Sequence, residues 1–256
     1  MCVRLIGGHS SQRHSSKAKL KIGFYLQIQE TAEYFEERSR LARLSLLFDL
    51  DGTLTDSKEG IFRCIRYALE QLGLSRNSEE DLNWCIGPPL QKSLARLVGD
   101  PMAPKALELY RERYTEKGMF ENRVYEGIPE SLSALQGKAD LYVATSKPRV
   151  YAVEVIRHFH LNGYFKGIYG SELDGALSEK GELIGFLLER EKINRVSAFM
   201  IGDRKHDMEG ARKNAVTGIG AGWGFGTPEE LLDSGALNIL QHPGELADYF
   251  KPLMDF

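Results

Sequence analysis

Short apolar segments alternate with longer amphipathic segments from residue 45 to the end of the 256-residue chain. Four apolar segments have the length of a buried strand: LLFDL from Leu46, LYVAT from Leu141, GIYGS from Gly167 and SAFMIGD from Ser197. The segments between them show the periodicity of amphipathic helices. This alternation predicts an α/β fold in which helices cover both faces of a mostly parallel sheet. Functional groups in such sheets collect at the carboxyl ends of the strands.

The alternation is interrupted between residues 58 and 126, where the pattern is helical and no convincing strand is found. Apolar residues recur at helical spacing over 61–72 and again over 90–97, and a third helix is predicted over 104–117. The pattern therefore predicts a small helical domain that is inserted after the first strand and lies over its carboxyl end.

These patterns divide the chain into three parts. Residues 45–57 and 127–256 are predicted to form the sheet-containing core, and residues 58–126 the inserted helical domain. Residues 1–44 are predicted to form an extension that the chemistry does not require. The first 29 residues contain five basic residues and no acidic one, a composition like that of organelle transit segments, but they lack a clear amphipathic period.

The composition is ordinary for a globular protein, with 42% hydrophobic and 27% charged residues. A formal net charge of -3 gives no general attraction to nucleic acid or to an anionic membrane, because those partners require clustered basic surface. No apolar run approaches the roughly 20 residues of a membrane helix. The scattered residues Cys2, Cys64 and Cys85 indicate reduced thiols and a cytoplasmic location rather than a disulfide framework or a zinc site.

Two aspartates follow the first predicted strand in the stretch LLFDLDGTLTDS. Asp49 and Asp51 lie just past the apolar part of this strand, and Gly52 permits a tight backbone turn beside them. An Asp-Gly turn can also close a β-hairpin, but a second strand would then follow, whereas a helix is predicted here. Both aspartates are therefore predicted to face the carboxyl edge of the sheet.

The strand in LYVATSKP ends in Thr145 and Ser146, and Pro148 is well placed as the first residue of the next helix. Hydroxyl groups, free backbone N–H groups and the amino end of a helix together form an anion-binding site. The same residues also fit a simple helix cap. Lys147 could reach a bound anion, but a lysine beside a proline usually faces solvent.

Two further aspartates, Asp203 and Asp207, follow the fourth predicted strand in FMIGDRKHD. Asp207 falls in the opening turn of a helix, so the two carboxylates can share one side. Lys180 begins an amphipathic helix and would by itself be interpreted as a surface residue. Carboxylates packed at one strand edge repel one another unless a cation is present, and such oxygen ligands favour Mg²⁺ over Zn²⁺. A metal, a lysine and a helix amino terminus at one place describe a phosphate site.

The order of these motifs resembles that of the haloacid dehalogenase superfamily of phosphohydrolases. The shared pattern is DxDGT at Asp49, an apolar strand ending in Thr145, then Lys180, then GDxxxD at residues 202–207. The resemblance extends from Ser45 to the end of the chain. The stretches IGPPL, VATSKP, GSELDG, IGDRKHD and GWGFGTPEEL are similar to its phosphoglycolate phosphatase-like and bacterial 5'-nucleotidase-like branch. This resemblance implies a Rossmann-like core and a small helical cap, which the inserted domain would form.

The resemblance implies a Mg²⁺-dependent phosphatase in which Asp49 attacks phosphorus and forms an aspartyl phosphate. Asp51 would protonate the leaving oxygen and then activate the water that hydrolyses the intermediate. Mg²⁺ would be held by Asp49, the backbone carbonyl of Asp51 and Asp203. Asp207 would support this coordination shell, directly or through water.

The resemblance also implies how the substrate is bound. Thr145, Ser146 and Lys180 would contact the phosphate oxygens. The cap would close over the site and read the organic half of the substrate with the loop of Gly87, Pro88 and Pro89, although a helix start explains the two prolines equally well. The partner would be a small phosphorylated metabolite, either phosphoglycolate or a nucleoside 5'-monophosphate, and the chain would be a monomer or a homodimer.

Three other functions fit parts of this pattern. A phosphomutase of the β-phosphoglucomutase type retains all of these motifs and differs in returning the phosphate to the substrate. A haloacid dehalogenase proper needs no Mg²⁺ and no second acid, so Asp51 and Asp203 count against it. A non-catalytic binding module would be expected to lack the nucleophile or the metal ligands, whereas this chain has them.

Overall fold

The computed structural model describes residues 43–74 and 82–254 of the chain. Apart from Arg43 and Leu44, the predicted amino-terminal extension lies outside the described residues, as does Cys2, and its role stays a prediction. Within the described ranges, no helix is both long enough and apolar enough to cross a membrane.

The strands of the described residues are β1 (Ser45–Phe48), β2 (Thr55–Asp56), β3 (Arg123–Val124), β4 (Asp140–Pro148), β5 (Gly167–Ser171), β6 (Ala198–Gly202), β7 (Thr217–Ala221) and β8 (Asn238–Leu240). The helices are α1 (Lys58–Gln71), α2 (Leu90–Val98), α3 (Ala103–Arg113), α4 (Ile128–Leu135), α5 (Arg149–His158), α6 (Lys180–Glu191), α7 (Lys205–Lys213), α8 (Pro228–Asp233) and α9 (Glu245–Met254). Six strands form a parallel sheet in the order β5-β4-β1-β6-β7-β8. This sheet confirms the predicted α/β class.

The central strand β1 is buried on both faces because its side chains alternate between two apolar clusters. Leu46 and Phe48 pack with Val143 and Ile201 in the larger cluster. Leu47 points to the opposite face and packs in the smaller cluster with residues of α6. Helices therefore cover both faces of the sheet, as predicted.

The register of the central strands brings their carboxyl ends to one edge. Phe48 lies opposite Val143 of β4 and opposite Ile201 of β6. Because all three strands are parallel, the residues that follow them reach the same edge of the sheet. Asp49 and Asp203 are among these residues.

The segment between β2 and β3 contains α1, α2 and α3, and α3 continues into a π-helical turn at Tyr114–Gly118. The three predicted helices are thus present. We refer to residues 58–126 as the cap; the exact domain boundaries stay predictions. Cys64 and Cys85 of the cap are both buried, and no disulfide joins them.

The expectation that residues 58–126 contain no strand is wrong at one place. β3 pairs with β2 in antiparallel fashion, with Thr55 opposite Val124 and Asp56 opposite Arg123. Strands of two residues are too short to leave a recognisable alternation in the sequence. This small ladder lies where the chain enters and leaves the cap, so it joins the two connections to the core.

Candidate active site

Lys180 joins two of the predicted site aspartates inside the core. Its Nζ atom lies 2.9 Å from Asp49 Oδ1 and 2.8 Å from Asp207 Oδ1, and it donates a hydrogen bond of 2.9 Å to the backbone oxygen of Ala144. Lys180 is buried, although in isolation it would be interpreted as a surface residue; its place in the order of the motifs pointed to the site. The lysine stem runs against α7, where Gly210 leaves room for it, since an added Cβ there would lie 2.9 Å from Lys180 Cγ.

Burial and neighbouring charges shift the pKa values of this cluster. Burial raises the pKa of Asp49 to about 6, with Lys180 opposing the shift and Asp207 adding to it. Burial alone would lower the pKa of Lys180, but the attraction of Asp207 and Asp49 outweighs it and the pKa is raised. At neutral pH, Lys180 is therefore a cation and Asp49 is mostly ionised, as a nucleophile must be.

Asp203 is held in one orientation by two hydrogen bonds. Thr53 donates from its hydroxyl to Oδ1 over 3.1 Å, and the backbone N–H of Phe225 donates to Oδ2 over 2.9 Å. Glycines permit this close packing, since an added Cβ would lie 2.1 Å from Asp203 Oδ2 at Gly52 and 2.2 Å from Asp203 Cβ at Gly224. Burial, reinforced by neighbouring carboxylates, raises the pKa of Asp203 well above its usual range. A fixed and buried carboxylate of this kind fits a metal ligand.

The carboxylates form a cluster that fits a divalent cation. One carboxylate oxygen from each of Asp49, Asp203 and Asp207 lies within 4.8 Å of the others. With Asp51 and Lys147 nearby, four carboxylates meet two ammonium groups, which leaves a formal charge of -2 when all are ionised. Several oxygen donors with a surplus of negative charge suit Mg²⁺. The Asp51 carboxylate is outside this group, so its predicted contact would use the backbone carbonyl.

The Lys147 side chain was predicted from the sequence to face solvent, and this prediction is wrong. Its side chain is 7% exposed, and Nζ lies 2.7 Å from Asp51 Oδ1. The same atom donates a hydrogen bond of 2.8 Å to the hydroxyl of Tyr114 in the cap. Burial alone would lower the pKa of Lys147, but Asp51 and Tyr114 together outweigh burial and the pKa is raised. The neighbouring proline carried no information about these partners, which come from distant parts of the chain.

Thr145 and Ser146 lie where β4 reaches the site. The Thr145 side chain is buried and its hydroxyl accepts a hydrogen bond of 3.2 Å from the backbone N–H of Lys147. The backbone oxygen of Ser146 accepts a hydrogen bond of 2.9 Å from Ser171. Pro148 was predicted to begin the next helix; it is instead the last residue of β4, and α5 begins one residue later. The amino terminus of α5 therefore follows Ser146 by three residues along the chain.

A cavity of about 130 Å³ is lined by both the sheet edge and the cap. The core contributes, among others, Asp49, Asp51, Thr145, Ser146, Lys147 and Tyr151. The cap contributes, among others, Gly87, Pro88, Pro89, Leu107, Tyr110 and Tyr114. Lys180, Asp203 and Asp207 are not lining residues and lie deeper, around Asp49. The structure thus brings the predicted nucleophile, acid, phosphate-binding hydroxyls and cap loop to one cavity.

Arg204 forms a contact that no sequence pattern predicts. Its guanidinium donates a hydrogen bond to the backbone oxygen of Ile86 in the cap, and its Nε lies 2.9 Å from Glu230 Oε1. Gly87 has a φ of +102° and packs on the arginine, since an added Cβ would lie 2.9 Å from Arg204 Cγ. Arg204 therefore ties the loop at the cavity to the segment that carries Asp203.

The chain belongs to the haloacid dehalogenase-like hydrolase family, whose model matches residues 46–221. The match begins in β1 and ends with β7, so it includes the cap and every aspartate of the candidate site. It confirms the family to which the motif order pointed.

Known relatives and structures agree with this assignment. A 5'-nucleotidase from Pseudomonas aeruginosa is 50% identical over 190 residues, covering 73% of this chain and 86% of that protein. The tyrosine-protein kinase PtkA of Mycobacterium tuberculosis is 31% identical over 209 residues, covering 81% of this chain and 72% of that protein. The crystal structure of a "predicted phosphatase" from Clostridium acetobutylicum has a TM-score of 0.78 and 42% identity, covering 82% of this chain and 99% of that chain. The family, the nucleotidase and the phosphatase structure show that this chain is a hydrolase of phosphoric monoesters.

Proposed function

We propose that the chain is a Mg²⁺-dependent phosphatase that hydrolyses small phosphomonoesters through an aspartyl phosphate on Asp49. The observation that supports this most directly is the position of Asp49. It lines the substrate cavity, contacts the buried cation Lys180, and shares an oxygen cluster with Asp203 and Asp207. A nucleophile with a counter-charge and a metal-binding cluster behind it fits phosphoryl transfer.

In the first step, an Asp49 carboxylate oxygen forms a bond to phosphorus while the bond from phosphorus to the ester oxygen breaks. Asp51, which lines the same cavity, donates a proton to the leaving oxygen. In the second step, Asp51 takes a proton from water, the water oxygen bonds to phosphorus, and the bond to Asp49 breaks to release phosphate. Thr145 and Lys180 offset the negative charge of the phosphate oxygens.

Asp49, Asp203 and Asp207 would hold Mg²⁺, with the backbone carbonyl of Asp51. The bound ion supplies positive charge that offsets the phosphate and the carboxylates during attack. Asp203 is suited to this role because Thr53 and Phe225 already fix both of its oxygens.

The preferred substrate in this proposal is a nucleoside 5'-monophosphate rather than phosphoglycolate. Tyr110, Tyr114 and Tyr151 line the cavity, and the partly exposed ring of Tyr151 offers a surface for stacking with a base. A phosphoglycolate carboxylate would need a cation; Lys147 is already paired with Asp51, which leaves Arg111 of the cavity lining, itself donating to the backbone oxygen of Leu173 over 2.8 Å. The 5'-nucleotidase relative, which is 50% identical over 190 residues, adds support.

A phosphoryl transferase with an acceptor other than water is the second candidate. The 31% identity to a tyrosine-protein kinase favours keeping it, and a phosphomutase retains the same catalytic aspartates. The products separate these functions: hydrolysis releases free phosphate in proportion to substrate consumed, whereas transfer yields an isomerised sugar phosphate or a phosphorylated acceptor.

A small phosphorylated metabolite is the proposed partner, and neither a nucleic acid polymer nor a membrane is invoked. A cytoplasmic location is proposed because Cys64 and Cys85 are buried and no disulfide joins them. The chain is proposed to act as a monomer or a homodimer, which light scattering on the purified protein would measure.

The test is the release of nitrophenol from p-nitrophenyl phosphate with Mg²⁺ and with a chelator. Asp49→Asn should lower kcat by at least about 10³-fold, because the amide is a poor nucleophile. The matched control is Asp140→Asn, since Asp140 pairs with Arg43 and Lys166, each at 2.7 Å, at the amino end of β4. Absence of activity in the wild type would support the non-catalytic alternative, and full activity in Asp49→Asn would refute the aspartyl-phosphate route.

A further inference from the structure

A chain of hydrogen bonds leads from the cap to the predicted leaving-group acid. The Tyr114 hydroxyl accepts a hydrogen bond of 2.8 Å from Lys147 Nζ, and the same Nζ lies 2.7 Å from Asp51 Oδ1. Tyr114 belongs to the cap, whereas Lys147 and Asp51 belong to the core. These hydrogen bonds therefore exist only while this part of the cap lies against the sheet edge.

Packing fixes the ring of Tyr114, whose hydroxyl is the cap end of this series of hydrogen bonds. Tyr114 is 2% exposed. Its ring stacks on Tyr110 with centroids 5.4 Å apart and meets Tyr151 of the core edge-on, also at 5.4 Å. Lys147 Nζ lies 5.1 Å from the centroid of the Tyr114 ring. The hydroxyl therefore offers the lysine a rigid acceptor.

The backbone that carries Tyr114 is unusual. Tyr114 begins the π-helical turn that follows α3, and such turns are rare and often occur at functional sites. The turn ends at Gly118, which packs so closely on α1 that an added Cβ would lie 2.3 Å from Cys64 Sγ. The turn is thus anchored at its far end within the cap and presents Tyr114 to the core at its near end.

Lys147 has a long side chain with many rotamers, and an exposed lysine would place Asp51 poorly. Between the Tyr114 hydroxyl and Asp51, the ammonium group is held from two sides, and the aspartate side chain is held with it. A general acid must lie within hydrogen-bond reach of the leaving oxygen, so a small displacement of this carboxylate would slow protonation.

We propose that Tyr114 is a positioning residue for the leaving-group acid: through Lys147 it fixes the Asp51 carboxylate, and the acid is correctly placed only when the cap lies on the core. This proposal rests on the proposed function, in which Asp51 is the acid. Cap closure would then prepare the acid in the same movement that encloses the substrate.

The test compares two aryl phosphates of similar shape whose leaving groups differ in their need for a proton. p-Nitrophenyl phosphate releases nitrophenolate, a stable anion that needs no proton. Phenyl phosphate releases the more basic phenolate, which depends on the acid. Tyr114→Phe removes the hydroxyl and keeps the ring. It should lower kcat/KM, which covers only the steps up to the aspartyl phosphate, for phenyl phosphate by about tenfold and for p-nitrophenyl phosphate by less than about twofold. An equal loss on both substrates, or no loss on either, would overturn the proposal.

Two further variants separate this proposal from the function on which it rests. Asp51→Asn should itself show the larger loss with phenyl phosphate; if it does not, Asp51 is not the acid and the proposed function fails. If Asp51→Asn shows the selective loss and Tyr114→Phe does not, only the present inference fails.

The route through Lys147 is tested by a double-mutant cycle. In a Lys147→Met background, Tyr114→Phe should not change the ratio of kcat/KM for phenyl phosphate to that for p-nitrophenyl phosphate. The hydrogen bonds from Tyr114 through Lys147 to Asp51 are already lost in that background. A further selective loss of about tenfold would show that Tyr114 acts by another route. Tyr67→Phe is the matched control: its hydroxyl lies 2.9 Å from Glu112 Oε1 on the cap surface, and its rates should equal those of the wild type.

Discussion

Lys180 and Lys92 both form ion pairs, but burial gives the two pairs different energetic weight. The Lys180 side chain is 2% exposed and lies between two buried carboxylates. The side chains of Lys92 and its partner Glu179 are 69% and 52% exposed, so water and salt screen that pair. Removing one partner of a buried pair leaves an unpaired buried charge, which is far costlier than losing a surface pair.

Lys180→Gln should therefore lower the free energy of unfolding by about 3–5 kcal/mol at pH 7 without metal, because Asp49 and Asp207 lose their shared cation. Lys92→Gln should change it by less than about 1 kcal/mol. Denaturant unfolding of both variants measures the difference. kcat should fall in the Lys180→Gln variant but not in the Lys92→Gln variant. Equal stability of the two variants would mean that Lys180 does not offset the buried carboxylates.

At the residue scale, the sequence predicted side chains whose position follows from their own strand. Asp49 and Asp203 were located because each directly follows an apolar run, and parallel strands end at one edge. Lys147 and Arg204 were not located from the sequence, because their burial depends on partners that are brought near only by folding. Lys180 was placed correctly only by its order among the motifs.

At the scale of elements, the cap depends on a contact between two glycines. Gly60, at the start of α1, and Gly118, at the end of the π-helical turn, lie against each other. An added Cβ at Gly60 would lie 2.1 Å from the backbone oxygen of Gly118. At Gly118, an added Cβ would lie 2.3 Å from Cys64 Sγ. Neither position has room for a side chain unless the backbone shifts.

Gly118→Ala should consequently lower the free energy of unfolding by about 1–3 kcal/mol, the usual cost of overpacking. Gly163→Ala is the matched control, because no atom lies within 4 Å of an added Cβ there and φ is not positive. That substitution should be neutral or stabilising by up to about 1 kcal/mol. Thermal unfolding of both variants measures the contrast. A neutral Gly118→Ala would mean that the turn can move away from α1.

The elements that the sequence predicted are those with a clear pattern of their own. β1, β4, β5 and β6 correspond to apolar runs, and the three cap helices to regular spacing. β7 was missed because TGIGA contains two glycines, which strands disfavour. β8 has three residues, and β2 and β3 have two each, so they exist only through their partners in the sheet.

At the scale of the whole molecule, folding gathers carboxylates that the sequence keeps far apart. Burial raises the pKa of Asp49 to about 6 from the ordinary 3.8, and it also raises the pKa of Asp203. The folded metal-free protein therefore binds protons more tightly than the unfolded chain does. The contribution of these carboxyl groups to the free energy of unfolding is therefore fully present at low pH. It is lost as the pH rises through about 4 to 6. At neutral pH, a divalent cation would replace the missing protons.

Mg²⁺ should thus raise Tm, and the increment should be larger at pH 7.5 than at pH 5, because the metal binds ionised carboxylates. At a metal concentration of about 100 times Kd, the gain is about 2.7 kcal/mol, or roughly 5–10 °C for a chain of this size. Scanning calorimetry with Mg²⁺ and with a chelator at both pH values measures it. Asp203→Asn should abolish the increment, and Asp140→Asn should retain it. The same increment at both pH values, or its survival in Asp203→Asn, would place Mg²⁺ elsewhere than among these carboxylates.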